Sequence, residues 1–145
     1  MTEMIKVSCL RCGATNNFPA EAAGKKVVCG RCKSPLPEPG AVLEPSLEEV
    51  QVLIQSGRLS ILVDFYSTTC APCHRMHPIV ERLAQRRKGE LMTLKVNVES
   101  HPELASSLGI QAVPTFIVFA QGLERGRTSG AMPEMDFSLW VAGKA

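Results

Sequence analysis

Cys70-Ala71-Pro72-Cys73 sits where an apolar run, Leu59 to Tyr66, gives way to a helical pattern, Met76 to Arg87. Two thiols three positions apart at a helix start constrain both the local fold and the chemistry. The free backbone N–H groups and the positive end of the helix dipole favour a thiolate there. Cys70, nearest the helix start, is the expected low-pKa thiol. Cys73, one turn further in, is close enough to attack a mixed disulfide formed at Cys70. The pair therefore suits thiol–disulfide exchange. Cys70 to His74 also spells C-x-x-C-H, the attachment signature of c-type haem. That reading needs export and a second axial ligand, and the strand before the motif and the helix after it fit a dithiol site better.

Two further pairs, Cys9/Cys12 and Cys29/Cys32, are spaced C-x2-C-x16-C-x2-C. This spacing matches a four-cysteine zinc site. Four thiolates complete a tetrahedral shell and leave no open position, so the expected role is structural. Gly13 and Gly30 are expected to supply the permissive backbone of the two turns. A segment of 36 residues buries little core, and one zinc ion would supply the missing folding energy. Two redox-active dithiols, or unligated thiols, are the alternative.

The chain has 145 residues and is 45% hydrophobic, enough for a buried core. A net charge of +2 is too mild to argue for nucleic acid or a membrane surface as partner. The first twelve residues lack the apolar stretch of a signal peptide, and no run reaches the length of a membrane span. The expectation is a cytoplasmic protein, where paired cysteines serve as ligands or catalytic thiols rather than structural disulfides.

Three prolines in Pro35-Leu36-Pro37-Glu38-Pro39, with Pro45 soon after, can continue neither a helix nor a central strand. The expected division is a zinc ribbon over 1–36, a linker over 37–45 and a second domain over 46–145. Ser46 and Glu49 match a capping box for a helix that Gly57 would end. Leu59 to Tyr66 reads as a strand covered on both faces. A helix kinked at Pro78 and stopped by Gly89 follows, then a strand over Leu91 to Val98. These make a βαβ unit with parallel strands. A short helix over Pro102 to Leu108, a hairpin of Thr115–Phe119 with Glu124–Thr128, and a closing helix over Met132 to Val141 complete the pattern. Phe137 and Trp140 read as core contacts, and His74, His77 and His101 as surface histidines.

Residues 46–145 resemble the thioredoxin family along almost their whole length. The resemblance rests on Val63-Asp64-Phe65-Tyr66, on Cys70-Ala71-Pro72-Cys73, on Lys95-Val96-Asn97-Val98, on Gly109 to Thr115 and on Gly130. With the four-cysteine module, the whole chain looks like the bacterial members that carry an N-terminal zinc ribbon. The resemblance implies an α/β thioredoxin fold, a central mixed sheet flanked by helices. It implies that Asp64, an ionisable group in an apolar strand, moves the proton of Cys73, with a pKa raised by burial. It implies a cis Val113–Pro114 bond beside the dithiol, and Ala71, Pro72, Val113 and Gly130 bordering the substrate. Disulfide-containing client proteins and a thioredoxin reductase are the implied partners, and a monomer is the implied working unit. Thr69 and Ala71 depart from the family's usual tryptophan and glycine, which bears on redox potential and client preference. A less reducing oxidase or isomerase, or a zinc-ribbon adaptor using Lys25, Lys26 and Arg31, are the competing readings.

Overall fold

The computed structural model describes residues 3–22, 25–56 and 58–145. The chain opens with an antiparallel hairpin of β1 (Met4–Ser8) and β2 (Thr15–Pro19), followed by one 3-10 turn at Ala20–Ala22. Then come β3 (Val42–Leu43), α1 (Leu47–Ser56), β4 (Ser60–Tyr66) and α2 (Ala71–Arg86). The remainder is β5 (Leu91–Asn97), α3 (Pro102–Ser107), β6 (Thr115–Ala120), β7 (Leu123–Ser129) and α4 (Glu134–Lys144). The helix stop expected at Gly57 lies outside the described residues.

The last five strands form one sheet in the order β3-β5-β4-β6-β7. β3, β5 and β4 run parallel, while β6 and β7 run antiparallel to their neighbours. The central strand β4 explains the unbroken apolar run seen in sequence, because both of its faces are buried. Ile61, Val63 and Phe65 pack with Val50 and Leu53 of α1 and Leu104 of α3. Leu62 points the other way, into a core with Met76, Val80 and Leu83 of α2 and Phe137 and Val141 of α4. Asp64 and Tyr66 alternate with the first set and therefore share the α2 face with Leu62.

Two expectations are revised here. The stretch expected as a linker carries β3, which pairs with β5 through Val42↔Thr93 and Leu43↔Leu94. Gln85 of α2 also donates to the Gly40 carbonyl at 3.1 Å, so the prolines lead into the sheet rather than away from it. Nor does the N-terminal hairpin stand apart. Ile5, Val7 and Phe18 are buried in the same core as Val50, Leu53 and Ile61. Alternation along β1 puts Ile5 and Val7 inward, with Met4 and Lys6 exposed. The turn after α2 accommodates this approach at Gly89, whose φ is +82° and where a Cβ would press on Ile5 at 3.1 Å.

Local signals are otherwise obeyed. Ser46 and Glu49 cap α1 reciprocally: the Glu49 N–H donates to Ser46 Oγ at 3.2 Å and the Ser46 N–H to Glu49 Oε1 at 2.8 Å. α2 begins five residues before the expected Met76 and runs through Pro78. Phe137 is fully buried and edge-on to Phe116 at 4.8 Å, with Trp140 half-buried and stacked on it.

Candidate functional site: a dithiol and a four-cysteine cluster

Cys70 is the N-cap of α2, with extended backbone (φ −95°, ψ 111°) and Pro72 in the first turn. Its sulfur accepts the Cys73 N–H at 3.2 Å, the bond a thiolate at a helix start needs. Cys70 and Cys73 are joined as a disulfide, with Cα atoms 5.2 Å apart. Their exposure differs: Cys70 is half-buried, whereas Cys73 is 1% exposed. Only the first sulfur can meet an incoming macromolecule.

Ala71 is exposed at the rim. Across from α2, the Val113–Pro114 peptide is cis, and the Val113 carbonyl oxygen lies 3.6 Å from Cys70 Sγ. Pro114 is buried, Val113 half-buried. Gly130 (φ +94°) donates its N–H to the Pro114 carbonyl at 2.9 Å, and Thr115 Oγ1 ties the loop to Ala112 O at 2.6 Å and Ser129 Oγ at 2.9 Å. Cys70, Cys73, Val113, Pro114 and Gly130 thus come together at one end of the sheet.

Asp64 is 1% exposed and its Oδ1 has no hydrogen-bond partner. Desolvation pushes its pKa up from 3.8 to about 7, against the lowering pull of Lys95, its register partner on β5. Leu62 meets Met76 and Val80 of α2, and the Tyr66 ring meets His77 of α2 at 5.4 Å. Asp64 lies between those two on the same face of β4, and so beneath the first turns of the dithiol helix. A carboxyl titrating near neutrality there can accept a thiol proton.

Several residues around the dithiol escaped sequence reasoning. His77 is not a surface histidine: it is half-buried, its Nε2 has no partner, and burial lowers its pKa. His74 is exposed as expected, and its Nε2 is 2.8 Å from the Thr68 carbonyl. Where the family has an aromatic at position 69, a hydroxyl network holds the loop. Ser67 Oγ donates to Glu99 at 2.6 Å, lies 3.2 Å from Thr69 Oγ1 and accepts the Thr69 N–H at 3.3 Å. Glu44 reaches Lys95 and Tyr66 from the stretch after β3. The (i, i+4) spacing of Cys73 and His77 was the one available signal for the histidine.

The other four cysteines converge within the N-terminal segment. Their sulfurs lie within 4.8 Å of one another, and could hold a metal ion. Cys9 and Cys32 Sγ are 3.6 Å apart, and Cys12 and Cys29 Sγ 3.7 Å. A tetrahedral zinc site with Zn–S of about 2.3 Å has sulfurs about 3.8 Å apart, so the donor set fits. Two matching turns build it. The Arg11 and Arg31 N–H groups each donate to the first sulfur of their pair at 3.4 Å. Gly13 N–H to Cys9 O and Lys33 N–H to Cys29 O, both 2.9 Å, close the turns. The left-handed residues are therefore Gly13 (φ +78°) and Lys33 (φ +68°), not Gly30, which follows its cysteine directly. Gly30 instead donates its N–H to Asn16 Oδ1 at 2.9 Å, linking the turn to β2.

A mixed five-stranded sheet with a dithiol at a helix start, faced by a cis-proline loop, defines a thiol–disulfide oxidoreductase. The chain belongs to the thioredoxin family: the family model described as thioredoxin matches residues 41–142. It is 37% identical over 81 residues to thioredoxin 1 of Chlorobaculum tepidum, covering 56% of this chain and 80% of that one. It is 30% identical over 83 residues to a thioredoxin of Rickettsia felis, covering 57% and 79%. Among solved structures, chloroplastic thioredoxin z superposes with a TM-score of 0.64 at 29% identity, covering 70% of this chain and 92% of that one. A thioredoxin from Halobacterium salinarum gives 0.66 at 27%, covering 73% and 92%. Residues 1–40, with the four-cysteine cluster, lie outside the family match.

Proposed function

We propose that this chain is a protein-disulfide reductase of the zinc-ribbon thioredoxin 2 type. The observation that carries the reading is the unequal exposure of two sulfurs on one helix start, with a raised carboxyl behind the buried one. The Cys70 thiolate attacks a client disulfide, forming a Cys70–client disulfide and expelling one client thiolate. Asp64 takes the proton of Cys73, whose thiolate attacks Cys70 Sγ and expels the second client thiolate. The client gains two electrons and, from solvent and Asp64, two protons; the chain is left as the Cys70–Cys73 disulfide. The Cys73 N–H bond to sulfur stabilises the Cys70 thiolate as attacker. Val113, Pro114 and Gly130 form the bank against which a client strand lies, with Ala71 and Pro72 opposite.

Thioredoxin reductase is the partner that returns the disulfide to the dithiol, and the cytoplasm is the compartment that suits unpaired CxxC cysteines. One chain holds both thiols and the proton acceptor, so a monomer suffices. Cys9, Cys12, Cys29 and Cys32 hold zinc, which supplies folding energy in a closed thiolate shell and takes no part in the exchange. The test is reduction of a disulfide protein by the metal-loaded chain with dithiothreitol as recharging reductant. Cys73→Ser should lose turnover and, when reduced beforehand and mixed with the disulfide protein free of dithiothreitol, accumulate a stable mixed disulfide, while Cys70→Ser should accumulate none. Preferential trapping by Cys70→Ser would reverse the assignment of the two thiols.

A further inference from the structure

Glu44 lies between β3 and α1, in the stretch whose sequence gave no hint of a role at the site. Its carboxylate bridges two groups on the dithiol side of the sheet. Oε1 is 3.1 Å from Lys95 Nζ, and Oε2 accepts the Tyr66 hydroxyl at 3.3 Å. Lys95 Nζ in turn lies over the Tyr66 ring, 5.6 Å from its centroid. Lys95 is also the register partner of Asp64, and its charge pulls on that carboxyl. The titratable and charged groups around Asp64 are then Lys95 on β5, Tyr66 further along β4, Cys73 and the neutral-leaning His77 on α2, and Glu44 behind Lys95. The β6 register partner is Phe116, which is apolar.

We propose that Glu44 is a positioning residue for thiol–disulfide exchange: its carboxylate anchors the Lys95 ammonium on Tyr66 and offsets its charge, and so governs how readily Asp64 holds the Cys73 proton. The proposal rests on the reading of Asp64 as proton acceptor. Magnitudes separate this role from a stabilising one. The Glu44 side chain is 60% exposed and that of Lys95 26%, so as an ion pair the two contribute little to folding. The field of Lys95 on a dry carboxyl is less screened, because the path runs through protein. Whatever tethers or neutralises Lys95 is therefore felt at Asp64 out of proportion to its worth in stability. Losing the Glu44 charge leaves the charge of Lys95 unopposed, which favours the Asp64 carboxylate.

The experiment is a carbon-detected NMR titration of the Asp64 carboxyl in the disulfide form, where neither thiol titrates. Glu44→Gln keeps the acceptor for Tyr66 and removes the charge; it should lower the Asp64 midpoint by about half a unit, and Lys95→Met should raise it by about one. In the Lys95→Met background the effect of Glu44→Gln should fall to about a third or less. Glu44→Asp should restore the wild-type midpoint, with the melting temperature nearly constant throughout the series. An unmoved midpoint in Glu44→Gln, or an equal shift with and without Lys95, overturns the proposal. Stopped-flow resolution of the mixed disulfide across pH supplies the second readout, and its inflection should move with the NMR midpoint. If the midpoint moves and the rate profile does not, it is Asp64 as proton acceptor that fails, and the Glu44–Lys95 coupling stands.

Discussion

Replacing Asp64 by asparagine removes the only carboxylate that the sheet buries without a hydrogen bond on one of its oxygens among the described residues. Unfolding returns that group from a pKa of about 7 to 3.8, so between those values the folded chain holds more protons than the unfolded one. Stability of the wild-type chain must therefore fall as pH rises through this window and level off above it. At 1.36 kcal/mol per unit, the penalty is about 1.5 kcal/mol at pH 5 and about 4 kcal/mol at pH 8. An asparagine does not ionise, so the variant should gain on the wild type by about 2.5 kcal/mol between the two pH values. Any fixed difference in how an amide and a carboxyl fit the site is common to both and drops out. Urea unfolding of each protein at pH 5 and pH 8, in the disulfide form, measures the difference directly. For a chain of this length the gain at pH 8 corresponds to about 10 °C in melting temperature. A change between the two pH values below about 1 kcal/mol would refute the argument that desolvation dominates at Asp64.

The same variant should resolve its mixed disulfide about 10²- to 10⁴-fold more slowly near neutral pH, with the defect shrinking as pH rises, which stopped-flow kinetics would follow. Metal analysis should give one zinc per chain, lost when Cys9 or Cys29 becomes serine. Because Ile5, Val7 and Phe18 share a core with α1 and β4, chelation should lower the melting temperature of the whole chain in one transition; an unchanged transition for the catalytic part would show the hairpin to be independent. Ile5→Ala should cost about 2–5 kcal/mol in urea unfolding, the range for a large-to-small change in a full core, although it lies outside the family match. Phe137→Ala, at the centre of the α2–α4 core, should cost about 3–5 kcal/mol by the same measurement.

What could be read before the structure was whatever rests on short-range physics. The capping box, the dithiol at a helix start and the continuous apolar run of β4 are local signals, and each leads to the element it announces. The two-residue strand β3 was beyond reach, since a pair of residues has no period and prolines on either side spoke for a linker. The docking of the hairpin was nearly as obscure. β2 reads Thr-Asn-Asn-Phe-Pro, and one phenylalanine in five residues does not identify a buried face. Gly30 drew attention because glycine suggests a left-handed turn, yet the closing bond falls on Lys33. Symmetry between the two CxxC turns, matching Gly13 to Lys33, was the better guide. Glu44 and His77 were missed for a shared reason: their distant partners, Lys95 and Tyr66 for the first and Tyr66 for the second, meet them only when separate elements fold onto the sheet.

The alternation along β4 divides labour between the two sides of one strand. Ile61, Val63 and Phe65 serve the layer into which the N-terminal hairpin fits, while Leu62, Asp64 and Tyr66 serve the layer that does chemistry. A module added on the first side touches no reacting atom. It leaves the rim of Ala71, His74, Gln111 and Ala112 open to large clients. The fold can thus accept or discard such an attachment as a change of lining rather than of machinery. A substitution in β4 can be sorted by parity: an odd-numbered position faces the α1 and α3 core that the hairpin joins, an even-numbered one the layer of α2 and α4 beneath the dithiol.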